Sequence, residues 1–241
     1  MSDRFVLAHG FTQTARSWST FAPLLAERLP GIDTLAVDLP GHGDADCQVD
    51  LDLWASGNRL ADIGGGAVHI GYSMGGRVAL HAAVSHPMRA LVLIGATAGI
   101  DDVVERDARR AADERLAEHI EDVGVPSFID EWLANPLFAG LTEEAAQRAD
   151  RLRNTAAGLA ASLRSTGTGT QTPLWDRLGD IRCPVLVLVG EHDQKFTALG
   201  HRLAESLPRA TTAVIPGAGH SVHLEQPELT ADAVAAWHRS A

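Results

Sequence analysis

The chain has 241 residues, 45% of them hydrophobic and 21% charged, with a formal net charge of −11. That is enough for one well-buried core, short for two, and ordinary for a soluble globular protein. The acidic balance argues against nucleic acid and anionic membrane surfaces as partners, but it leaves room for a small anionic substrate held by clustered arginines.

In chain order, Phe5–Ala8 reads as a buried strand, followed by a helical pattern over Ser17–Leu29. Thr34–Val37 is a second strand, closed by Pro40-Gly41-His42-Gly43, and a helix is expected over Leu51–Ile63. Ala67–Ile70 leads as a third strand into a helix over Met74–Ser85, and Ala90–Ile94 is a fourth strand. Late in the chain come strand Pro184–Val189, helix Thr197–Leu207, strand Thr211–Ile215 and helix Pro227–Ser240. Unbroken apolar strands alternating with helices predict an α/β fold with a mostly parallel, doubly wound sheet. The rhythm breaks over residues 99–172, a charged, helix-patterned stretch with 8 arginines against 14 acids. Inserted after the fourth strand, it reads as a helical cap over the edge where such sheets bind ligands. The whole chain, 1–241, is then one domain.

Two cysteines, Cys47 and Cys183, make neither a disulfide framework nor a cysteine metal site, and Cys183 reads as a small buried residue. The N-terminus lacks a basic-then-apolar leader pattern, and no apolar run approaches the roughly 18 residues of a membrane span. A cytoplasmic protein, monomeric or weakly self-associating, is expected.

The strongest motif is Gly71-Tyr72-Ser73-Met74-Gly75, a G-x-S-x-G with an apolar strand before it and a helix after it. A strained turn there lifts the Ser73 hydroxyl above the sheet edge and leaves the Met74 N–H at a helix N-terminus, facing a developing oxyanion. A serine hydroxyl needs a base, and this fold supplies its triad in the order Ser, acid, His. Asp193 follows the fifth strand, with Glu191 as the alternative acid. His220 follows the sixth, in Gly217-Ala218-Gly219-His220. Asp193 would fix the His220 tautomer and stabilise the imidazolium. The loop His9-Gly10-Phe11 supplies the second oxyanion donor, the Phe11 N–H. His220 and His223 have a weak metal-like spacing without a carboxylate partner motif, so no metal is assigned.

Arg77 lies on the first turns of the elbow helix, where a cation is electrostatically unfavourable. Either an ion pair or an anionic substrate group would offset this. Arg106, Arg109, Arg110 and Asp113 share helical spacing; a solvated face with an Arg109–Asp113 pair is the simpler reading. Trp132 and Phe138 fit the core of the cap, and Arg153-Asn154 is ambiguous from its residues alone.

Together these residues resemble the 2-succinyl-6-hydroxy-2,4-cyclohexadiene-1-carboxylate synthase family of menaquinone biosynthesis, α/β-hydrolase-fold lyases. The resemblance runs through His9-Gly10-Phe11, Asp38–Gly43, Gly71–Ala79, Glu105–Asp113, Trp132–Pro136, Phe138-Ala139, Leu152-Arg153-Asn154, Gly190–Asp193 with Lys195-Phe196, and Ala218–His220. Arg77 and the cap residues separate this family from generic esterases. The resemblance implies elimination of pyruvate from a cyclohexene carboxylate bearing succinyl and enolpyruvyl groups, with no cofactor. It further implies that Arg77, Arg109 and Arg153 bind the carboxylates of an anionic polycarboxylate substrate and that Trp132 packs on it. Leu133 departs from the pattern, since relatives carry an aromatic residue there, and that contact is not transferred. The residues alone leave open a carboxylester or thioester hydrolase with an acylated Ser73, and a non-catalytic receptor on the same fold.

Overall fold

A continuous apolar run is stable as a strand only when both of its faces are covered, and one strand shows how this is achieved. In Ala90–Ile94, Leu91 and Leu93 point into one apolar cluster while Ala90, Val92 and Ile94 point into another. The computed structural model describes residues 3–45 and 52–241. Cys47, and Leu51 at the start of the second expected helix, lie outside the described residues.

Six parallel strands among the described residues form one sheet: β1 (Arg4–Ala8), β2 (Asp33–Val37), β3 (Val68–Tyr72), β4 (Ala90–Ile94), β5 (Val185–Gly190) and β6 (Ala210–Ile215). Their order is β2-β1-β3-β4-β5-β6. The chain moves outward from β1 to β2 and returns to place β3 on the other side of β1. The loops after β1 and β3 therefore diverge at a switch point, where a crevice opens at the carboxyl ends of the strands.

The helices, in chain order, are α1 (Phe21–Arg28), α2 (Leu53–Gly64), α3 (Met74–Ser85), α4 (Val103–Leu133), α5 (Arg148–Arg151), α6 (Ala156–Thr166), α7 (Gln194–Ser206), α8 (Val222–Glu225) and α9 (Pro227–Ser240). On one face of the sheet, α2, α3 and α7 contribute Leu60, Val78 and Leu203 to the core. On the other, α1 and α9 contribute Phe21, Leu25 and Val234. The helix expected from Ser17 instead begins at Phe21, after a short 3-10 turn over Ala15–Trp18. Pro23 has no N–H to donate, which suits the first helical turn and no later position. Cys183 is half-buried rather than buried.

Between β4 and β5 the chain leaves the sheet and forms α4, α5 and α6. Asp102 caps α4 by accepting from the Glu105 amide at 2.8 Å. The helix is broken at Gly124, whose φ of 76° no helix accommodates, just ahead of Pro126. Ile120, Phe128 and Ile129 pack with Leu159 and Leu163 of α6 in an apolar cluster separate from the two that flank the sheet. Among the described residues, no helix is long and apolar enough to cross a membrane.

Candidate active site

The turn between β3 and α3 places Ser73 at φ 49° and ψ −106°, a conformation non-glycine residues rarely adopt. Two hydrogen bonds hold it. Ser73 N–H donates to Ile94 O at 2.8 Å, at the end of β4, and Gly75 N–H donates to His9 O at 3.0 Å, in the loop after β1. Backbones meet here without side chains between them. A Cβ at Gly71 would stand 2.5 Å from Gly75 O, and one at Gly75 would overlap the Ala8 carbonyl. The glycines of the motif thus serve close approach as well as the turn.

His220 and Asp193 come together across 27 positions of sequence, His220 Nδ1 donating to Asp193 Oδ2 at 2.7 Å. Both are buried. The His220 ring lies 4.3 Å from Phe196 and 5.3 Å from Tyr72, centroid to centroid. Glu225, which the sequence reading missed, grips the loop on both sides of the histidine. Its carboxylate accepts from Gly219 N–H at 2.7 Å and from Ser221 N–H at 2.9 Å. An acid five residues beyond a loop histidine, at the end of a short helix, was the available signal. Glu191, the alternative acid, is exposed and accepts from Gly217 N–H at 2.8 Å. His223 is buried against Trp18 and Tyr72, with ring centroids 4.4 and 4.5 Å away.

Ser73 and His220 open into a cavity of about 450 Å³ between the sheet edge and the helical insertion. Phe11, Met74, Arg77, Arg109 and Trp132 line it as well, so the structure gathers most of the residues singled out in the sequence. Trp132 packs on Phe11 (5.4 Å) and Phe138 (5.6 Å). Its buried Nε1–H has no hydrogen-bond partner among the described residues.

Arg153 is not brought to the cavity. It pairs with Asp44 at 2.7 Å and with Asp150 at 3.6 Å. Arg151, two residues earlier, lines the cavity in its place, almost fully buried, with Nε donating to Ala146 O at 2.8 Å. The Arg109–Asp113 pair exists, at 2.7 Å, with the Arg109 side chain 42% exposed, as a solvated face requires, but its partner turned inward. Asp113 is buried, and its second oxygen accepts from Gly169 N–H at 3.1 Å, drawing the Gly-Thr tract into the wall of the site.

The electrostatics follow from this arrangement. Arg77, Arg109, Arg151 and Lys195 line the cavity, and Asp113 is the sole carboxylate among its lining residues. Burial lowers the Arg77 pKa to about 10, with the Arg109 charge adding to the effect, and burial likewise lowers Arg151 to about 10. The protein's own bonds to these guanidiniums go largely to neutral oxygens. Arg77 donates to the Thr166 carbonyl and Arg151 to Thr12 Oγ1. A partly open, electropositive cavity beside a serine suits an anionic ligand.

The chain also matches known proteins over nearly its whole length. Residues 5–233 match the model of the alpha/beta hydrolase family. A protein of Enterobacter sp. (strain 638) named 2-succinyl-6-hydroxy-2,4-cyclohexadiene-1-carboxylate synthase is 33% identical over 95% of this chain and 89% of that one. A Bacillus subtilis (strain 168) protein that carries the same name provisionally is 37% identical over 95% of this chain and 87% of its own. The chain belongs to the alpha/beta hydrolase family and, within it, to these synthases. The solved structure of MenH from S. aureus superposes with a TM-score of 0.92 at 28% identity, covering 99% of this chain and 94% of that one. The sheet, the elbow and the helical insertion are thus those of an α/β-hydrolase-fold enzyme.

Proposed function

We propose that this enzyme is a carbon–oxygen lyase of menaquinone biosynthesis that eliminates pyruvate from a succinyl- and enolpyruvyl-bearing cyclohexene carboxylate. One observation carries the reading: in a chain of net charge −11, the cavity into which Ser73 opens is lined by four cations and, among the described residues, one carboxylate, Asp113. A neutral ester leaves such a concentration of positive charge without a partner, whereas a polycarboxylate substrate supplies one.

In this reading Ser73, His220 and Asp193 act together as the base. Asp193 holds the proton on His220 Nδ1, which leaves Nε2 to receive one. The Ser73–His220 pair takes the ring proton alpha to the succinyl carbonyl. The C–H electrons become an enolate, whose oxygen is held by the Phe11 and Met74 amides. Its collapse through the conjugated ring breaks the C–O bond and releases pyruvate as its enolate, which is then protonated. The step is redox-neutral and needs no electron acceptor. Met74 suits its role because the first amides of a helix have no intrahelical partner and lie at the positive end of the helix dipole. Arg77, Arg109 and Arg151 pair with the substrate carboxylates in forked geometry, while Trp132 packs on the ring and offers its free indole N–H. The insertion acts as a cap that excludes water and strengthens these charges.

The test is pyruvate release from the enolpyruvyl-bearing substrate by the wild type, Ser73→Ala and Arg77→Ala. Rapid release that collapses in both variants is expected. No release above background, from folded protein that still cleaves simple esters through Ser73, would leave a carboxylester or thioester hydrolase instead.

A further inference from the structure

Thr12 follows the Phe11 amide directly and has φ 69°, in the left-handed region that a β-branched side chain avoids. Such a conformation persists only where the surroundings over-determine it, and here three groups do so. His42 Nε2 accepts from Thr12 N–H at 3.3 Å. Asn154 Nδ2 donates to Thr12 O at 2.6 Å, and Arg151 donates to Thr12 Oγ1. Backbone and side chain are thereby both held, two of the three contacts coming from the helical insertion.

The groups that hold Thr12 are themselves fixed. Asn154 Oδ1 accepts from Gly43 N–H at 2.9 Å, and its Nδ2 also donates to Arg151 O at 3.0 Å. His42 Nδ1 donates to Pro40 O at 3.1 Å. Burial, together with the neighbouring His9, lowers the His42 pKa to about 3, so Nε2 stays an acceptor at working pH. Two residues beyond Thr12, Thr14 Oγ1 donates to Asp150 Oδ1 at 2.7 Å. Residues 150–154 of the insertion therefore grip residues 12–14 of the loop after β1. Asn154 is buried outside the cavity lining, so its influence on the site passes through Thr12.

We propose that Asn154 and Arg151 are positioning residues that lock Thr12 in its left-handed conformation and so aim the Phe11 amide at the oxyanion. Seating of the cap on this loop and completion of the oxyanion hole are then one event. An anion drawn to Arg151 acts on the same contact, which links substrate capture to the donor. The inference rests on Phe11 as an oxyanion donor in the reading above.

The experiment compares wild type, Thr12→Val, Asn154→Ala and Thr12→Ser. Its readouts are kcat and KM for pyruvate release, the rate of Ser73 phosphonylation by a small neutral fluorophosphonate, and the Phe11 amide resonance in protein labelled with ¹⁵N-phenylalanine, of which the chain has 6. Thr12→Val and Asn154→Ala are expected to lower kcat about tenfold with KM little changed, a fraction of the 100-fold or greater loss when a donor is removed outright. Phosphonylation slows in parallel and the Phe11 amide shifts, while Thr12→Ser, which keeps the hydroxyl, restores all three. Folded Thr12→Val with an unmoved Phe11 amide and wild-type phosphonylation overturns the clamp, as does a change confined to KM. If the wild type releases no pyruvate but phosphonylation still falls in the variants, the substrate reading fails and the clamp stands. Should Asn154→Ala not fold, Thr12→Val and the amide resonance decide alone.

Discussion

Asp193 holds His220 with one carboxylate oxygen, 2.7 Å from Nδ1, and caps α7 with the other, which accepts from Phe196 N–H at 3.1 Å. The same side chain thus orients the proposed base and starts the helix that carries Phe196 against the His220 ring. An amide in its place separates the two tasks. Asn retains an acceptor for the cap but no longer fixes the imidazole tautomer or offsets its charge. Asp193→Asn is expected to lower kcat about 10³- to 10⁴-fold, with the melting temperature little changed because Asn caps helices as well as Asp. A rate loss below tenfold would remove Asp193 from the base.

Arg77 opposes stability, and in the proposed reading it does so in order to bind substrate. Its pKa, lowered to about 10 by burial, corresponds to roughly 3 kcal/mol against the charged form at neutral pH. Part of that is recovered when the cation is replaced by an apolar side chain of similar length, while its bond to Thr166 O is lost. Arg77→Met is therefore expected to raise the melting temperature of the free enzyme by about 3 °C, the scale of 1 kcal/mol in a chain this size. It should also lower kcat/KM about 100-fold through loss of a charged hydrogen bond. A scanning melt and steady-state kinetics on one preparation check both signs; a destabilised variant that kept its activity would refute the assignment.

The two neighbouring arginines make a paired test. Arg151→Ala removes a buried cation from the cavity wall and a contact to Thr12, and is expected to lower kcat/KM by at least about 100-fold. Arg153→Ala breaks an exposed pair with Asp44. Exposed pairs contribute little, so kcat/KM should stay within about threefold of wild type. The reverse ranking in pyruvate-release kinetics would return the carboxylate contact to Arg153.

That substitution of one arginine for another marks where the sequence stops being legible. The strands are readable because burial on both faces demands unbroken apolar runs, and the elbow because only glycine allows the backbone approaches at 71 and 75. Helical spacing also predicted the ion pair of Arg109 with Asp113, one turn on. It could not place Arg151. That residue ends a four-residue helix that begins after Gln147, whose left-handed φ of 50° resets the helical phase. Which way a side chain points after such a reset depends on packing against Thr12 and Ala146, partners far apart in the chain or set by the turn itself. Glu225 escaped for a similar reason. Its role follows from the path of the loop around His220, which carries no periodic signal.

The same packing makes the fold sensitive to acid. His9, His42, His81 and His223 are buried, and desolvation lowers their pKa values from 6.5 to about 4, 3, 4 and 3. In the unfolded chain each takes up a proton as pH falls through 6.5, while in the folded protein each stays neutral until about 3 to 4. The unfolded state thus binds more protons across that window, and stability falls with falling pH. The contribution is fully present above about 6.5, and by pH 5 each histidine has cost roughly 2 kcal/mol. The four together approach the whole stability of an ordinary domain. Unfolding is therefore expected to begin near pH 5, with the melting temperature flat from pH 8 to 7 and falling steeply below 6. His223 offers the cleanest check, because both ring nitrogens lack a hydrogen-bond partner among the described residues and its packing against Trp18 and Tyr72 is largely a matter of shape. His223→Phe keeps an aromatic ring there and removes one titrating group. It should hold its melting temperature at pH 7 and gain over wild type by several degrees at pH 5. Parallel pH profiles for the two proteins would show that burial of His223 is not part of the acid response.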